Sequence, residues 1–157
     1  MANNFSPRRL IVPLVLFTVA LIAILTTNST ATATSYTFFS VADTYVDANN
    51  PNTNYGTGSV VWMDATPVLQ GYVRFNVQNL DGPVASATLR LFMGSNNATG
   101  FDVHSVADTS WVETAVTYNN APTIGSVINS SGAVTSSSWV EIDVTSYITA
   151  DGLYSFG

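Results

Sequence analysis

The sequence predicts an all-β fold: an antiparallel β-sandwich, jelly-roll-like, behind an N-terminal signal peptide. Three observations carry this reading. Apolar and polar residues alternate with period two in several short windows, and beyond the N-terminus no window sustains the 3.6-residue period of a helix. Clusters of Gly, Pro, Asn and Asp separate these windows, as turns separate short antiparallel strands. The number of short strands favours a sandwich over a parallel sheet, whose strands would alternate with helices.

The N-terminal 33 residues read as the signal. Arg8 and Arg9 supply a positive start, and Leu10 to Leu25 is apolar apart from Thr18, with Pro13 interrupting it. Ala31-Thr32-Ala33 offers a small-residue cleavage site. The apolar run is shorter than the ~20 residues that span a bilayer. Cleavage is therefore the reading, with an uncleaved anchor as its alternative, and either sends residues 34–157 outside the cell. Residues 27–35, rich in Thr, Ser and Ala, form a short linker.

Strands are expected at 36–42, 59–64, 71–77, 85–93, 100–107, 138–145 and 153–157. The turns between them include Asn49-Asn50-Pro51-Asn52, Asp81-Gly82-Pro83, Gly94-Ser95-Asn96-Asn97 and Asn129-Ser130-Ser131-Gly132. Alternation then assigns faces. Val73, Phe75 and Val77 point inward, with Tyr72, Arg74 and Asn76 outward. Ala85, Ala87, Leu89, Leu91 and Met93 form a second inward row, opposite Ser86, Thr88, Arg90 and Phe92. Val140, Ile142 and Val144 form a third, opposite Trp139, Glu141, Asp143 and Thr145. Leu153-Tyr154-Ser155-Phe156-Gly157 reads as a strand in progress. It predicts a sandwich that continues past this point, with an unpaired edge where it stops.

Charge narrows the partners. Residues 34–157 hold two basic side chains, Arg74 and Arg90, against all ten acidic ones, a net of −8, and the chain has no Lys. Two arginines cannot neutralise a nucleic-acid backbone or an anionic bilayer, so neither is a partner, apart from the signal or anchor segment itself. No Cys is present, so the core must hold without disulfides. About two-thirds of the unfolded surface is buried in a domain near this size, which makes that feasible.

Six segments, in order, carry a resemblance. They are Ala42-Asp43-Thr44-Tyr45-Val46 with Asn52-Thr53-Asn54-Tyr55-Gly56; Gly71-Tyr72-Val73-Arg74-Phe75-Asn76-Val77; Ser86-Ala87-Thr88-Leu89-Arg90-Leu91; the run from Trp111 through Thr117-Tyr118-Asn119-Asn120-Ala121-Pro122; and Val140-Glu141-Ile142-Asp143-Val144-Thr145. Together, from about Tyr36 onward, the chain resembles the DNRLRE domain family, also described as carbohydrate-binding module family 96. The resemblance implies a secreted β-sandwich module within a larger protein with other domains. It also implies non-catalytic binding of a polysaccharide, with alginate the ligand of some members.

The residues can supply such binding. Flat rings contact sugar faces, and planar polar groups fix the hydroxyls. Trp62, Tyr72, Phe92, Trp139 and His104 offer rings on outward positions, and Arg74 and Arg90 form a candidate pair for the carboxylate of a uronate. The competing reading pairs each arginine with one of the chain's own carboxylates. Trp111 reads as core or corner packing. Asp43, Asp47, Asn49 and Asn52, with Asn54 nearby, present enough oxygens for one structural calcium; the alternative is an Asn/Pro turn bonded to its own backbone. No catalytic residue is assigned, since His104 has no identifiable partner and surface carboxylates such as Glu113, Glu141 and Asp143 are commoner than catalytic ones. The reading is therefore an extracellular module for an acidic polysaccharide such as alginate, at most accessory to an enzyme. Its rival is a structural or adhesive spacer with no sugar ligand.

Overall fold

The computed structural model describes residues 34–157; the signal read over residues 1–33 lies outside them. Among the described residues eight strands form: β1 (Ser40–Asp47), β2 (Asp64–Ala65), β3 (Val68–Val77), β4 (Thr88–Met93), β5 (Asp102–Val106), β6 (Val127–Ser130), β7 (Ser138–Asp143) and β8 (Gly152–Phe156). All pairings are antiparallel. One layer is a six-stranded sheet ordered β1-β3-β8-β5-β6, with β2 also on β3; the other is the two-stranded ribbon β4-β7. The fold is thus the expected all-β sandwich, with layers of very unequal width.

β8 sits in the middle of the wide sheet. Its residues pair with β3 on one side and β5 on the other, and Gly157 exchanges backbone hydrogen bonds with His104. Phe156 is buried, with its ring edge-on to Phe75 and Tyr147. β8 is therefore flanked on both sides.

The ribbon covers one face of the wide sheet. Leu89 pairs with Ile142 and Leu91 with Val140 across β4 and β7, and these side chains meet Val73, Phe75, Val103 and Phe156. This is the core that period two predicts, apart from Ala85, which is exposed because it precedes the ladder.

The opposite face is also covered, which alternation alone does not show. Trp111, Val116, Ala121 and Ile124 belong to an irregular stretch that lies over Ala42, Val46, Tyr72 and Val106. Tyr72, read as outward, is only 1% exposed. A period-two strand has two faces, and nothing in its own residues says that a distant segment will close over the second.

Several strand assignments also change. The first strand runs over Ser40–Asp47 rather than 36–42, because those residues find β3 as a ladder partner. Residues 59–63 form no strand, and only Asp64–Ala65 pairs with Leu69 and Val68. Val127–Ser130 pairs with β5, although Asn129 and Ser130 read as turn residues. Gly100 explains how the next turn closes: it has φ 74°, and a Cβ there would run into the Gly132 carbonyl.

Candidate functional site

The outer face of the ribbon carries a cluster built from cross-strand neighbours. Arg90 stands opposite Glu141 and Phe92 opposite Trp139, all four on the side away from the core. Directly opposed side chains on an antiparallel pair lie close enough to interact. The Arg90 Nε donates to the Glu141 carboxylate at 2.8 Å. Its guanidinium carbon lies 4.9 Å from the Trp139 ring centroid. Phe92 and Trp139 meet edge to face, with centroids 5.4 Å apart. Both rings remain open to solvent, Phe92 at 58% and Trp139 at 57%. The ion pair is made through Nε, and no described residue other than Glu141 is hydrogen-bonded to the Arg90 side chain.

Arg74 does not join this cluster. It lies on the other face of the wide sheet, where one Nη donates to the carbonyls of Thr109 (2.8 Å) and Trp111 (2.7 Å). Its guanidinium carbon lies 4.9 Å from the Trp111 ring centroid, and Trp111 donates its indole N–H to the Ser155 hydroxyl at 3.1 Å. The proposed arginine pair is therefore corrected: β3 turns Arg74 toward the irregular cover, and β4 turns Arg90 toward solvent. Nearby, the Asp108 carboxyl is held below the usual range, chiefly by the Ser110 hydroxyl and N–H, with Arg74 adding a smaller pull.

Tyr72 is likewise removed from the candidate surface. Its hydroxyl donates to the Pro122 carbonyl at 3.0 Å, and burial pushes its pKa up to about 12. The removal of the anionic form's hydration is the main cause. His104 lies on β5, half-buried, with Nδ1 2.9 Å from the Gly125 carbonyl. It belongs to the wide sheet and not to the exposed ribbon.

Trp62 lies on the loop before β2, 52% exposed. Gly71 lets that loop descend on the sheet, since a Cβ there would collide with Val61. Trp62 thereby borders a shallow groove with Tyr45 and Tyr55, whose rings stack at 4.3 Å and 18°. The two tyrosines could not be paired from sequence, because the turn between them decides whether their rings meet.

The oxygens read as calcium ligands are dispersed. Asp43 and Asp47 are four residues apart on one strand, hence about 13 Å between Cα atoms, too far for one ion with ligands at about 2.4 Å. The Asp47 carboxylate instead accepts from the Asn49 N–H (2.8 Å) and the Asn50 amide (2.6 Å). The Asn52 side chain accepts from the Asn119 amide, and Asn54 donates to the carbonyls of Glu113 and Val116. These residues dock the turn after β1 onto the Trp111–Pro122 stretch. Among the described residues, no three His, Cys, Asp or Glu side chains converge.

The family model described as carbohydrate-binding module family 96 matches residues 34–157. The chain belongs to carbohydrate-binding module family 96. A search of curated proteins finds no match to it. As a carbohydrate-binding module, the chain has a glycan as its partner class. The segments that carry the resemblance divide accordingly: Trp111–Pro122 supplies the cover over Tyr72, Asn54 ties Asn52–Gly56 to it, and the Arg90 and Glu141 strands present rings and charge to solvent.

Proposed function

We propose that this carbohydrate-binding module is exported, acts by binding alone, and recognises an acidic polysaccharide such as alginate on the outer face of the β4-β7 ribbon. The observation that carries the reading is the exposed Phe92–Trp139 pair with the Arg90 guanidinium held against it. The rings offer apolar surface to the C–H faces of sugars. Contact with Trp139 and Glu141 restrains the guanidinium, so less freedom is lost when a ligand docks. Its exposed Nη groups are the fork that a uronate carboxylate would engage.

Binding without a catalytic step fits the carboxyl groups on this face. Glu141 is ion-paired to Arg90. Asp143 is held below the usual range by hydrogen bonds from Thr145, so it stays ionised and is a poor proton donor at neutral pH.

Affinity electrophoresis of the full chain in alginate-containing gels tests the reading. Retardation of the wild type, and loss of about tenfold or more in affinity for Trp139→Ala, is expected, as for a central aromatic contact. Retardation unchanged by Trp139→Ala would remove the ribbon as the site. No retardation by alginate or pectin in a folded protein would overturn the acidic-glycan reading, and if neutral polymers also fail to retard it, the spacer function is left in its place.

A further inference from the structure

The groove beside Tyr45 and Tyr55 differs from the ribbon in chemistry. We propose that it is a second, separate glycan site, one that takes an uncharged sugar unit. The proposal rests on the chain being a glycan-binding module, but it does not rest on the ribbon.

Shape comes first. The groove has a volume of about 320 Å³ and is concave, whereas the ribbon presents a sheet face. The stacked Tyr45 and Tyr55 rings and the exposed Trp62 indole give it three aromatic surfaces. A pyranose ring has apolar C–H faces and a rim of hydroxyls, so it needs such surfaces together with hydrogen-bond groups around them.

The hydrogen-bond groups are present and uncommitted. Among the polar side chains of the groove, Asn54 alone is used internally: its amide bonds Glu113 and Val116, and its oxygen accepts from the Gly56 N–H. The phenols of Tyr45 and Tyr55, the hydroxyls of Thr57 and Ser59 and the indole N–H of Trp62 are bonded to no other described residue. Elsewhere on the surface, hydroxyls are commonly satisfied locally, as Thr99 is by Asn97, Ser110 by Asp108 and Ser130 by Asp102. The groove therefore gathers five side chains whose hydrogen-bonding capacity is open to a ligand.

Charge decides the ligand class. No Asp, Glu, Arg or Lys side chain lines the groove. A uronate carboxylate placed there would find hydroxyls but no cation, in a domain with net charge −8. A neutral hexose or pentose loses nothing by that environment, and the open hydroxyls and indole N–H suit its hydroxyl rim.

The approach that holds the groove open also comes from the fold. Gly71 pairs with Tyr45 across β1 and β3, and its missing side chain lets the Val61–Trp62 backbone settle beside that tyrosine. The rings are thus held by a strand, a docked turn and a close backbone contact, which is the rigidity that a binding site needs.

The test separates the two sites by variant and by polymer. Full-length wild type, Trp62→Ala, Tyr55→Phe and Trp139→Ala are run in gels containing galactomannan, hydroxyethyl cellulose, xylan or alginate. Wild type should be retarded by at least one of the three neutral polymers. For that polymer, Trp62→Ala should lose about tenfold or more in affinity, Tyr55→Phe should lose a few-fold through one hydroxyl, about 1 kcal/mol expressed as a ratio, and Trp139→Ala should bind as wild type does. Tyr55→Phe keeps the ring stack, so it guards against a folding artefact. In Trp139→Phe, the exposed Trp62 and the buried Trp111 are the remaining tryptophans, and the neutral polymer should change the fluorescence of the exposed one. Absence of binding to all three neutral polymers, or neutral binding indifferent to Trp62→Ala, overturns the groove. Loss of alginate binding in Trp139→Ala alone would leave the groove standing, and failure of the ribbon with neutral binding intact would likewise leave it standing.

Discussion

Arg74 on Trp111 and Arg90 on Trp139 are the same contact in two environments. In each pair the guanidinium carbon lies 4.9 Å from the ring centroid. Trp111 is 6% exposed and its arginine donates to two backbone carbonyls, so the pair fastens the irregular cover to the wide sheet. The exposed pair has a carboxylate for a partner and solvent above it. Contact geometry alone therefore does not distinguish structural from binding roles. The decisive difference is what occupies the remaining donors and the remaining ring surface. At Arg74, carbonyls of the chain take one Nη, and the Nε is buried without a partner; at Arg90, the side chain is more than half exposed and open to a ligand.

The largest expected effect breaks this comparison if it is wrong. Trp111→Ala should destabilise the domain by ~3–5 kcal/mol, the range for removing a large aromatic from a core. That is a large share of the ~5–15 kcal/mol by which domains are stable. Trp139→Ala should cost about 1 kcal/mol or less, the worth of an exposed cross-strand pair. Urea unfolding followed by circular dichroism measures both. Equal losses would mean that the exposed pair is also structural, and its claim as a binding surface would fall.

The second effect sharpens what the cover does. Tyr72 lies beneath it, bonded to Pro122, with its pKa raised from 10.0 to about 12. The folded value lies above the unfolded one, so the stabilisation is complete below pH 10 and is lost as pH rises through 12. Two pKa units correspond to roughly 3 kcal/mol. Tyr72→Phe removes this dependence. At pH 8 the variant should be less stable by ~1–2 kcal/mol, through the lost hydrogen bond and the unpaired carbonyl. Between pH 10 and 12 the two stability curves should converge and cross. The other raised phenols, Tyr36, Tyr45 and Tyr147, act in both proteins and cancel in the difference. Parallel curves across that window would show that the Tyr72 hydroxyl is accessible to water and that the cover is loose.

The contrast also explains what could be read from sequence. Leu89, Leu91, Val140 and Ile142 announce their inward faces by alternation, and Arg90, Phe92, Trp139 and Glu141 fall outward by the same rule. That rule works where one face meets solvent. It fails for β3, where Tyr72 and Arg74 alternate with Val73 and Phe75 but are covered by residues some forty positions away. A tyrosine and an arginine on the second face of a strand look the same whether water or a distant loop lies above them. Trp111 read as core or corner packing, but what it packs against could not be located without the sheet order. The fold class and the exposed ribbon face were thus legible, whereas the cover, the β5-β6 pairing and the Tyr45–Tyr55 stack depend on contacts between distant segments. Asp47 shows the same limit at short range: its carboxylate suits either a cation or a turn, and only the positions of the Asn49 N–H and the Asn50 amide decide for the turn.

The smallest effect concerns Arg90 and Glu141, which compete for the same charge. Both side chains are more than half exposed, so their mutual attraction contributes about 1 kcal/mol or less to stability. Neither Arg90→Ala nor Glu141→Ala should shift the urea midpoint much. Their effects on a carboxylated glycan should have opposite signs. Arg90→Ala removes the fork and should weaken alginate binding several-fold. Glu141→Ala frees Nε, leaves the guanidinium resting on Trp139, and lowers the negative charge that repels the polymer; alginate binding should strengthen two- to threefold, an interaction worth about 0.5 kcal/mol. A neutral polymer bound elsewhere should respond to neither. If both variants weaken alginate binding equally, the ion pair itself is the recognised unit, with Glu141 holding Arg90 in place rather than competing for it. If neither changes it, charge on the ribbon plays no part, and the rings of Phe92 and Trp139 are left as the binding surface.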